Sequence, residues 1–465
     1  MNTNLSHTPA EPDHSSTARP PNIVFVFADQ WRQQATGYNG DQNVQTPRLD
    51  ALAAESIDFV HAISGTPVCS PYRASLMTGQ HPLTHGVFLN DVPPAPGAVP
   101  IATAFANAGY DTAYVGKWHI DGHGRSSYIP PERRMGFDYW KVLECTHDYN
   151  HSPYFAGNDS TRRYWEDYDA LAQTRDAMAY LRSRKPDKPF LLMLSWGPPH
   201  DPYDSAPEEF RRLYNPAKIE LRPNVPDAMA EDARRWLVGY YAHCSALDHC
   251  LGSLLDCLDE TGLARDTIFV FTSDHGDMLG SQGIERKQKP WDESIRVPFL
   301  LRWPGMPDWQ PGSSEIFIDA PDIMPTLLGL CQLPVPATVE GRNLSTCISD
   351  GTLPPAAEAG LLSCVTPFGE WHRGRGGREY RGLRTVRYTY VRTLDGPWLL
   401  YDNLKDPYQL NNLVNDPTSA EFRLQLDQQL QQLLDDRDHE FLEGSAYISR
   451  WNYQVDATGT IPIRA

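Results

Sequence analysis

Cys69 opens a short segment whose residues could bind and attack an anion. Pro71 suits the first turn of a helix, and Gly79 suits the residue just past its end. A helix N-terminus carries free backbone N–H groups and a partial positive charge, and Arg73 adds a cation one turn further on. A nucleophile at position 69 would therefore meet a tetrahedral anion such as sulfate or phosphate. A lone cysteine is more often a buried, inert thiol, so this interpretation depends on the neighbouring residues.

Two dipeptides, Asp29-Gln30 and Asp274-His275, offer the ligands of a divalent cation. Each follows an apolar run that predicts a central strand, and open α/β sheets place their sites at the C-terminal ends of such strands. Two carboxylates, an amide oxygen and an imidazole suit one ion; the oxygens favour Ca²⁺ or Mg²⁺, and the imidazole also tolerates Mn²⁺. An Asp-His dipeptide taken alone is more often a solvated turn.

The elements that must position these residues alternate between strands and helices. Continuous apolar runs at 22–28, 189–196 and 267–272 predict central strands, and a long apolar stripe at 230–258 predicts a helix. This alternation predicts an α/β fold with a large, mostly parallel central sheet flanked by helices.

Composition suggests three parts along the chain. Residues 1–20 are polar and predict a disordered tail, and residues 21–345 predict the catalytic α/β domain. A stretch rich in Pro, Gly, Ser and Thr marks the boundary, and residues 356–465 predict a smaller C-terminal α+β subdomain built on a short antiparallel sheet.

The chain has 465 residues and a net charge of −18, which argues against general binding to nucleic acid or to an anionic membrane. It lacks a run of about 18 apolar residues that would predict a membrane-spanning helix. Its first residues lack a basic and an apolar signal region, and its eight cysteines are scattered, as expected for free thiols. These features predict a cytoplasmic enzyme.

Two motifs carry a resemblance to a known family. The pattern C-x-P-x-R at 69–73, followed by L-x-T-G at 76–79, resembles the first signature of the type I, formylglycine-dependent sulfatases of the alkaline phosphatase-like superfamily. The pattern G-Y-x-T-x-x-x-G-K-W-H at 109–119 resembles their second signature, in the same order and spacing. Tyr72 stands where the family usually has a small residue, and the similarity extends from about residue 21 to about residue 435.

The resemblance implies a nucleophile and a metal site. Cys69 would be oxidised by a formylglycine-generating enzyme to formylglycine (3-oxoalanine), whose hydrated aldehyde attacks sulfur. A divalent cation, with Ca²⁺ preferred, would be bound by residue 69 together with Asp29, Gln30, Asp274 and His275. Gln30 departs from the commonest pattern, which has a second Asp, and this combination is similar to choline sulfatases and phosphonate monoester hydrolases.

The resemblance also implies the remaining catalytic roles. Arg73 and Lys117 would hold the aldehyde hydrate in place and stabilise the charge on the metal side of the site. His200 and Lys287 would assist the departing alkoxide, and His119 would take the proton that restores the aldehyde. Lys287 is chosen over Lys289 because it stands seven residues before the serine of S-x-R-V-P, as in the family.

The long polar segment at 121–155 predicts a substrate-binding loop, because long inserts in compact domains are usually functional or disordered. Arg125, His147 and His151 are its candidate substrate-binding residues. The polar, basic character of this loop favours a sulfated carbohydrate, either a small molecule or an oligosaccharide.

Three hypotheses follow. The first is a sulfatase that hydrolyses a sulfate ester, and the alternative is a phosphonate monoester or phosphate diester hydrolase of the same superfamily. The third, an unmodified protein that only binds anions, is disfavoured by the intact C-x-P-x-R core. The sequence leaves homo-oligomer formation open.

Overall fold

The computed structural model describes residues 20–185, 187–350 and 359–463. The predicted disordered tail therefore lies, apart from Pro20, outside the described residues. Residues 351–355 of the predicted boundary between the two domains also lie outside them, and this division of the chain stays a prediction.

A ten-stranded sheet forms the centre of the molecule. Its strands are β1 (Asn22–Asp29), β2 (Ile57–Ala62), β3 (Asp111–Lys117), β4 (Tyr139–Leu143), β5 (Pro153–Ala156), β6 (Asp159–Tyr164), β7 (Phe190–Pro199), β8 (Thr267–Ser273), β9 (Phe299–Arg302) and β10 (Gly312–Ile318).

The strand order is β10-β2-β9-β8-β1-β7-β3-β4-β5-β6. At the centre, β1 pairs in parallel with β7 and β8, and β3 pairs in parallel with β7 and β4. The short strand β9 is antiparallel to both of its neighbours, and β5 is antiparallel to β4 and β6. The predicted large sheet is confirmed, but it is a mixed sheet, and the segment at 121–155, predicted to be a substrate-binding loop, contributes β4 and most of β5 to it.

Helices cover both faces of this sheet. In chain order, the helices of the described residues are α1 (Pro47–Ala54), α2 (Cys69–Thr78), α3 (Pro82–His85), α4 (Ile101–Asn107), α5 (Asp169–Arg182), α6 (Glu208–Arg211), α7 (Ala230–Glu260), α8 (Asp292–Ile295), α9 (Ala320–Leu330), α10 (Ser345–Asp350), α11 (Ala420–Asp435) and α12 (Gly444–Arg450). Of these, α11 packs on a second, smaller sheet.

Strand β1 shows why its sequence is apolar throughout. Ile23, Phe25 and Phe27 point into the core layer that contains α2, α4 and α9, whereas Val24 and Val26 point into the layer that contains α1, α5 and α7. Alternate side chains of a strand face opposite sides, so a strand covered on both sides needs apolar residues at every position.

A small antiparallel sheet follows in the C-terminal region, as predicted. Its strands are β11 (Ala359–Cys364), β12 (Tyr380–Thr385), β13 (Tyr388–Thr393) and β14 (Gly396–Asp402). One face of this sheet packs on Leu426, Leu430 and Leu434 of α11, and the other packs against Ile63 and Ile295 beside the large sheet. Within the described part of the chain, each helix is too short or too polar to cross a lipid bilayer.

Candidate active site

Helix α2 presents Cys69 at its N-terminus. The preceding residue, Val68, is extended, and the helix ends at Gly79, whose φ of 68° suits a residue without a side chain. Every residue of α2 is buried. The side chain of Asn90 accepts the backbone N–H of Ser70 at 3.1 Å, which satisfies one of the donors that the first turn leaves without a partner inside the helix. Cys69 is therefore fixed at a buried helix end that favours negative charge.

The Cys69 thiol lies between two sets of charged groups. His275 Nε2 lies 3.2 Å from its Sγ and Asp29 Oδ1 lies 3.5 Å away, while Lys287 Nζ approaches to 3.2 Å. Burial and Asp29 raise the pKa of this thiol. The positive charges of Lys287, Lys117 and His275 outweigh them, so the pKa lies well below its ordinary value. The position therefore stabilises an anionic nucleophile.

The register of two central strands brings Asp29 and Asp274 together. Ala28 of β1 is paired with Ser273 of β8, so the next residue of each strand lies at the same edge of the sheet. The backbone N–H of Gln30 then donates to Asp274 Oδ1 at 3.0 Å, with Gln30 at a φ of 74° that non-glycine residues rarely adopt.

A divalent cation fits this edge of the sheet. The ligand atoms of Asp29, Cys69, Asp274 and His275 all lie within 4.8 Å of one another, and all four residues are buried. Burial and the neighbouring charge of Asp29 raise the pKa of Asp274 to about 6. Two buried carboxylates repel each other, and a cation between them would remove that repulsion.

The side chains of His275 and Gln30 are also oriented as ligands. His275 Nδ1 contacts the carbonyl oxygen of Gly276 at 2.9 Å, which leaves Nε2 free to face Cys69. Gln30 Nε2 donates to Asp277 Oδ2 at 2.7 Å, so the amide oxygen points the other way. This oxygen is buried and finds no hydrogen-bond partner among the residues that the structure describes. An amide oxygen of this kind suits a hard cation such as Ca²⁺ or Mg²⁺.

Arg73 and Lys117 neutralise the carboxylates from the protein side. Lys117 Nζ donates to Asp29 Oδ2 at 2.6 Å, and Arg73 bridges Asp29 and Asp274 at 3.2 and 3.0 Å. Burial alone would raise the pKa of Asp29, but the cations around it lower the pKa well below its usual range. We call the buried set made of Asp29, Gln30, Cys69, Arg73, Lys117, Asp274 and His275 the floor of the pocket.

His200 and Lys287 form a pair above the floor. Lys287 Nζ lies 2.6 Å from His200 Nε2, and His200 Nδ1 lies 2.9 Å from the carbonyl oxygen of Asp201. Burial and the adjacent Lys287 charge lower the pKa of His200. Lys289, the neighbouring candidate, donates instead to the carbonyl oxygen of Glu285 at 2.6 Å. The structure thus places Lys287, rather than Lys289, beside the Cys69 sulfur.

His119 lies in the loop after β3 and is also buried, with a φ of 63°. Its backbone oxygen accepts the hydroxyl of Ser70 at 2.6 Å, and its Nε2 lies 3.5 Å from Asp91 Oδ1. The loop is thereby attached to the first turn of α2, next to Cys69.

The three predicted substrate-binding residues separate in the structure. His147 is exposed and stacks on His200, with ring centroids 4.7 Å apart and planes at 8°. His151 stacks instead on Tyr164 of the edge hairpin, at 4.1 Å. Arg125 is paired with Asp91 through two hydrogen bonds of 2.9 and 2.8 Å. Only His147 thus contacts the His200–Lys287 pair directly.

The entrance is formed by residues from distant parts of the chain. Arg286 pairs with Asp201 at 3.2 Å and also with Glu370, which follows the small sheet's first strand. We call His147, Asp201, Arg286 and Glu370 the rim of the pocket.

Sequence reasoning missed several residues that support the floor. Asp277 receives the Gln30 amide and a hydrogen bond from Tyr203, and it could have been found as the second acid of S-D-H-G-D. Cys145 lies beside His119 and Lys117, whose charges lower the pKa of its thiol below normal although burial raises it. No sequence signal points to Cys145, because its neighbours come from a different strand end.

Two family models match the chain. The sulfatase model matches residues 21–333, and the model for the C-terminal part of N-sulphoglucosamine sulphohydrolase matches residues 280–436. Together they span the large sheet, the candidate site and the small sheet.

Named relatives agree with these matches. The chain is 45% identical to an ulvan-active sulfatase of Formosa agariphila, over 93% of this chain and 84% of that protein. It is 35% identical to an endo-4-O-sulfatase of Bacteroides thetaiotaomicron, over 86% of this chain and 89% of that one. The phosphonate monoester hydrolase of Agrobacterium radiobacter is more distant: its crystal structure has a TM-score of 0.74 and 24% identity, over 96% of this chain and all of that one, and shares the fold.

Proposed function

Since the chain belongs to the sulfatase family and is a sulfuric ester hydrolase, we propose that it removes sulfate from a sulfated carbohydrate, using formylglycine at position 69 and one divalent cation. The position of Cys69 carries this proposal. Its sulfur lies between the cation ligands Asp29 and His275 on one side and Lys287 on the other. A sulfate ester held there would have its sulfur at the nucleophile and its leaving oxygen at the His200–Lys287 pair.

We propose Ca²⁺ as the cation. Asp29, Asp274 and the unpaired Gln30 oxygen supply hard oxygen ligands, and His275 adds one nitrogen. When bound, the cation would stabilise the negative charge that develops on the transferred group. Arg73 and Lys117 keep the Asp29 carboxylate ionised, because their charges lower its pKa in spite of its burial.

Position 69 is where the family's modification would act. The hydrated aldehyde supplies two hydroxyls, one for attack and one for release of the product. Maturation by a formylglycine-generating enzyme is part of this proposal. The N-terminus of α2 and the cations Lys117 and Lys287 favour the negative charge that the nucleophile needs.

His200 and Lys287 would assist the leaving alkoxide. Lys287 Nζ lies 2.6 Å from His200 Nε2, and burial together with the Lys287 charge lowers the pKa of His200, so Lys287 is the cation of this pair. A proton from this pair neutralises the alkoxide as the ester bond breaks. His119, on the opposite loop, would accept the proton in the second step.

The carbohydrate part of the proposal is supported by two observations. Both named relatives are sulfatases, and the name of the first says that it is active on ulvan. The rim carries both cationic and anionic side chains that can hydrogen-bond to hydroxyl groups, together with the exposed ring of His147.

The test uses protein co-expressed with a formylglycine-generating enzyme, with Cys69→Ala as the blank. Hydrolysis of 4-nitrophenyl sulfate and of a phenylphosphonate monoester is compared, and sulfate release from sulfated oligosaccharides is followed by ion chromatography. A higher kcat/KM on the sulfate, with sulfate release from at least one oligosaccharide, is the expected result. A preference for the phosphonate would overturn the reaction, and turnover of the aryl sulfate without any carbohydrate turnover would overturn the substrate class.

Elemental analysis of the purified enzyme tests the cation separately. One calcium per chain is expected, and magnesium or manganese at that stoichiometry would contradict the choice of Ca²⁺.

A further inference from the structure

The dipeptide Asn90-Asp91 connects the nucleophile helix with the His119 loop. Asn90 Oδ1 accepts the N–H of Ser70 at 3.1 Å, and Asp91 Oδ1 lies 3.5 Å from His119 Nε2. The Ser70 hydroxyl closes the arrangement by donating to the His119 backbone oxygen at 2.6 Å. Two adjacent residues therefore determine where the nucleophile and His119 stand relative to each other.

Asp91 is itself held by Arg125. The guanidinium donates through Nε and Nη2 to the two carboxylate oxygens, at 2.9 and 2.8 Å. Such a two-bond pairing fixes the plane of a carboxylate as well as its position. The Asp91 side chain is only 11% exposed, and the hydrogen bonds from Arg125 together with the nearby His119 imidazole lower its pKa although burial raises it. Asp91 is thus a fixed, ionised partner for the imidazole.

Both members of the Asp91–His119 pair have an unusual backbone. Their φ angles are 65° and 63°, in the left-handed region that non-glycine residues seldom adopt. Such conformations persist where the surrounding contacts determine them, and they are concentrated at functional sites. Asp91 and His119 both adopt such a conformation where their side chains approach each other.

We propose that Asp91 is a positioning residue that orients the His119 imidazole, and that Arg125 secures Asp91 instead of binding the substrate. The proposal rests on the proposed function, in which His119 transfers a proton. A carboxylate beside one ring nitrogen selects the tautomer and the ring orientation, as acidic partners of other functional histidines do. Arg125, expected from the sequence to bind substrate, then acts through Asp91.

The first test compares Asp91→Asn and Arg125→Gln on 4-nitrophenyl sulfate and on a sulfated oligosaccharide. A misplaced catalytic group costs about 10²-fold in rate, so both variants should lower kcat by roughly that factor. The factor should be the same for both substrates, and KM should not rise, because the small substrate needs His119 as much as the large one. A rise in KM confined to the oligosaccharide in Arg125→Gln, with unchanged kcat on the aryl sulfate, would show that Arg125 binds substrate and would overturn the proposal.

The chain offers a matched control nearby. Asp121 accepts two hydrogen bonds from Arg133, at 2.8 and 3.1 Å, and lies 3.2 Å from His123. This cluster has the same three residue types, with a carboxylate that is 2% exposed, but its histidine is half exposed, whereas His119 is buried. Asp121→Asn should leave kcat close to the wild-type value, and thermal melting of both Asp→Asn variants shows whether the fold is retained.

A spectroscopic test does not need the matured enzyme. The protein is labelled with ¹⁵N-histidine and purified with Cys69 unmodified. The NMR signals of the His119 ring are identified as those that disappear in His119→Gln. Asp91→Asn should shift these signals, Asp91→Glu should restore them in part, and Asp121→Asn should leave them in place. Unshifted His119 signals in Asp91→Asn would overturn the proposal. A wild-type enzyme without sulfatase activity would instead overturn the proposed function, while the ring signals still report on Asp91.

Discussion

The floor and the rim of the pocket differ in how they are built. In the floor, the side chains of Asp29, Arg73 and Asp274 are 0% exposed, and Arg73 forms an ion pair with both carboxylates. In the rim, the side chains of Arg286 and Glu370 are 31% and 41% exposed. The floor comes from strand ends and a helix N-terminus, whereas the rim comes from loops.

This difference assigns the reaction to the floor and the choice of substrate to the rim. Charges in a buried site interact strongly because little water screens them, so removing one leaves its partner uncompensated. Exposed ion pairs are screened and contribute little each. Changes in the floor should therefore affect the rate on every substrate, and changes in the rim should affect which substrate binds.

Cys69→Ala should have the largest effect. Without the residue that becomes the nucleophile, kcat should fall by about 10⁴-fold or more on both aryl and carbohydrate sulfates. The fold should persist, because alanine fits the first turn of α2 and removes a thiol surrounded by charges. Initial rates and thermal melting check this together, and a rate within tenfold of the wild type would contradict the assignment of the nucleophile.

Asp274→Asn should remove the metal and the activity together. Asp274 is one of the four clustered ligands, and Arg73 would lose one of its two carboxylate partners. Elemental analysis should show less than one cation per chain, alongside a loss of rate of about 10³-fold.

Asp248→Asn is the control for this variant. Its buried carboxylate accepts the backbone N–H of Leu49 at 2.7 Å on the far side of the sheet. It should retain both metal and activity. Full metal content in Asp274→Asn would refute the placement of the cation.

His119→Ala should slow the second step more than the first. The loss of a proton-transfer group costs about 10²- to 10⁴-fold in kcat, and KM should fall as well because the slow step then follows ester cleavage. Intact-protein mass spectrometry after brief exposure to substrate should detect sulfate bound covalently to the protein. His123→Ala, whose ring is half exposed, should show neither effect. If no covalently bound sulfate were detected on His119→Ala, the proposed role of His119 would be contradicted.

Much of the floor could be predicted from the sequence because its geometry is local to a few elements. A continuous apolar run predicts a central strand, and the residues at its C-terminal end lie at the site edge, as Asp29 and Asp274 do. The helix signals around Pro71 and Gly79 likewise agree with α2, which ends at Thr78.

Apart from His147, the rim could not be predicted in this way. Arg286 and Glu370 are 84 residues apart in the sequence, and their contact depends on how the C-terminal region packs on the large sheet. Arg125 shows the same limit, because a basic residue in a polar loop predicts substrate binding until its partner Asp91 is known. The hairpin of β5 and β6 was missed because its polar residues lie at a sheet edge, where solvent replaces the apolar pattern of a buried strand.

Glu370→Gln should have the smallest effect and gives the sharpest test of the rim. Its carboxylate pairs with Arg286 and faces the entrance, so its loss frees part of the Arg286 charge and removes a repulsion against an anionic substrate. KM for a sulfated oligosaccharide should fall by about twofold to fivefold, the range that exposed ion pairs span. The kcat and KM for 4-nitrophenyl sulfate should not change, because this small ester needs only the floor and the His200–Lys287 pair. Glu208→Gln, which removes an exposed pair with Arg212 elsewhere, should alter neither substrate. If Glu370→Gln changed kcat equally for both substrates, the rim would be part of the chemistry, and its separation from the floor would not hold.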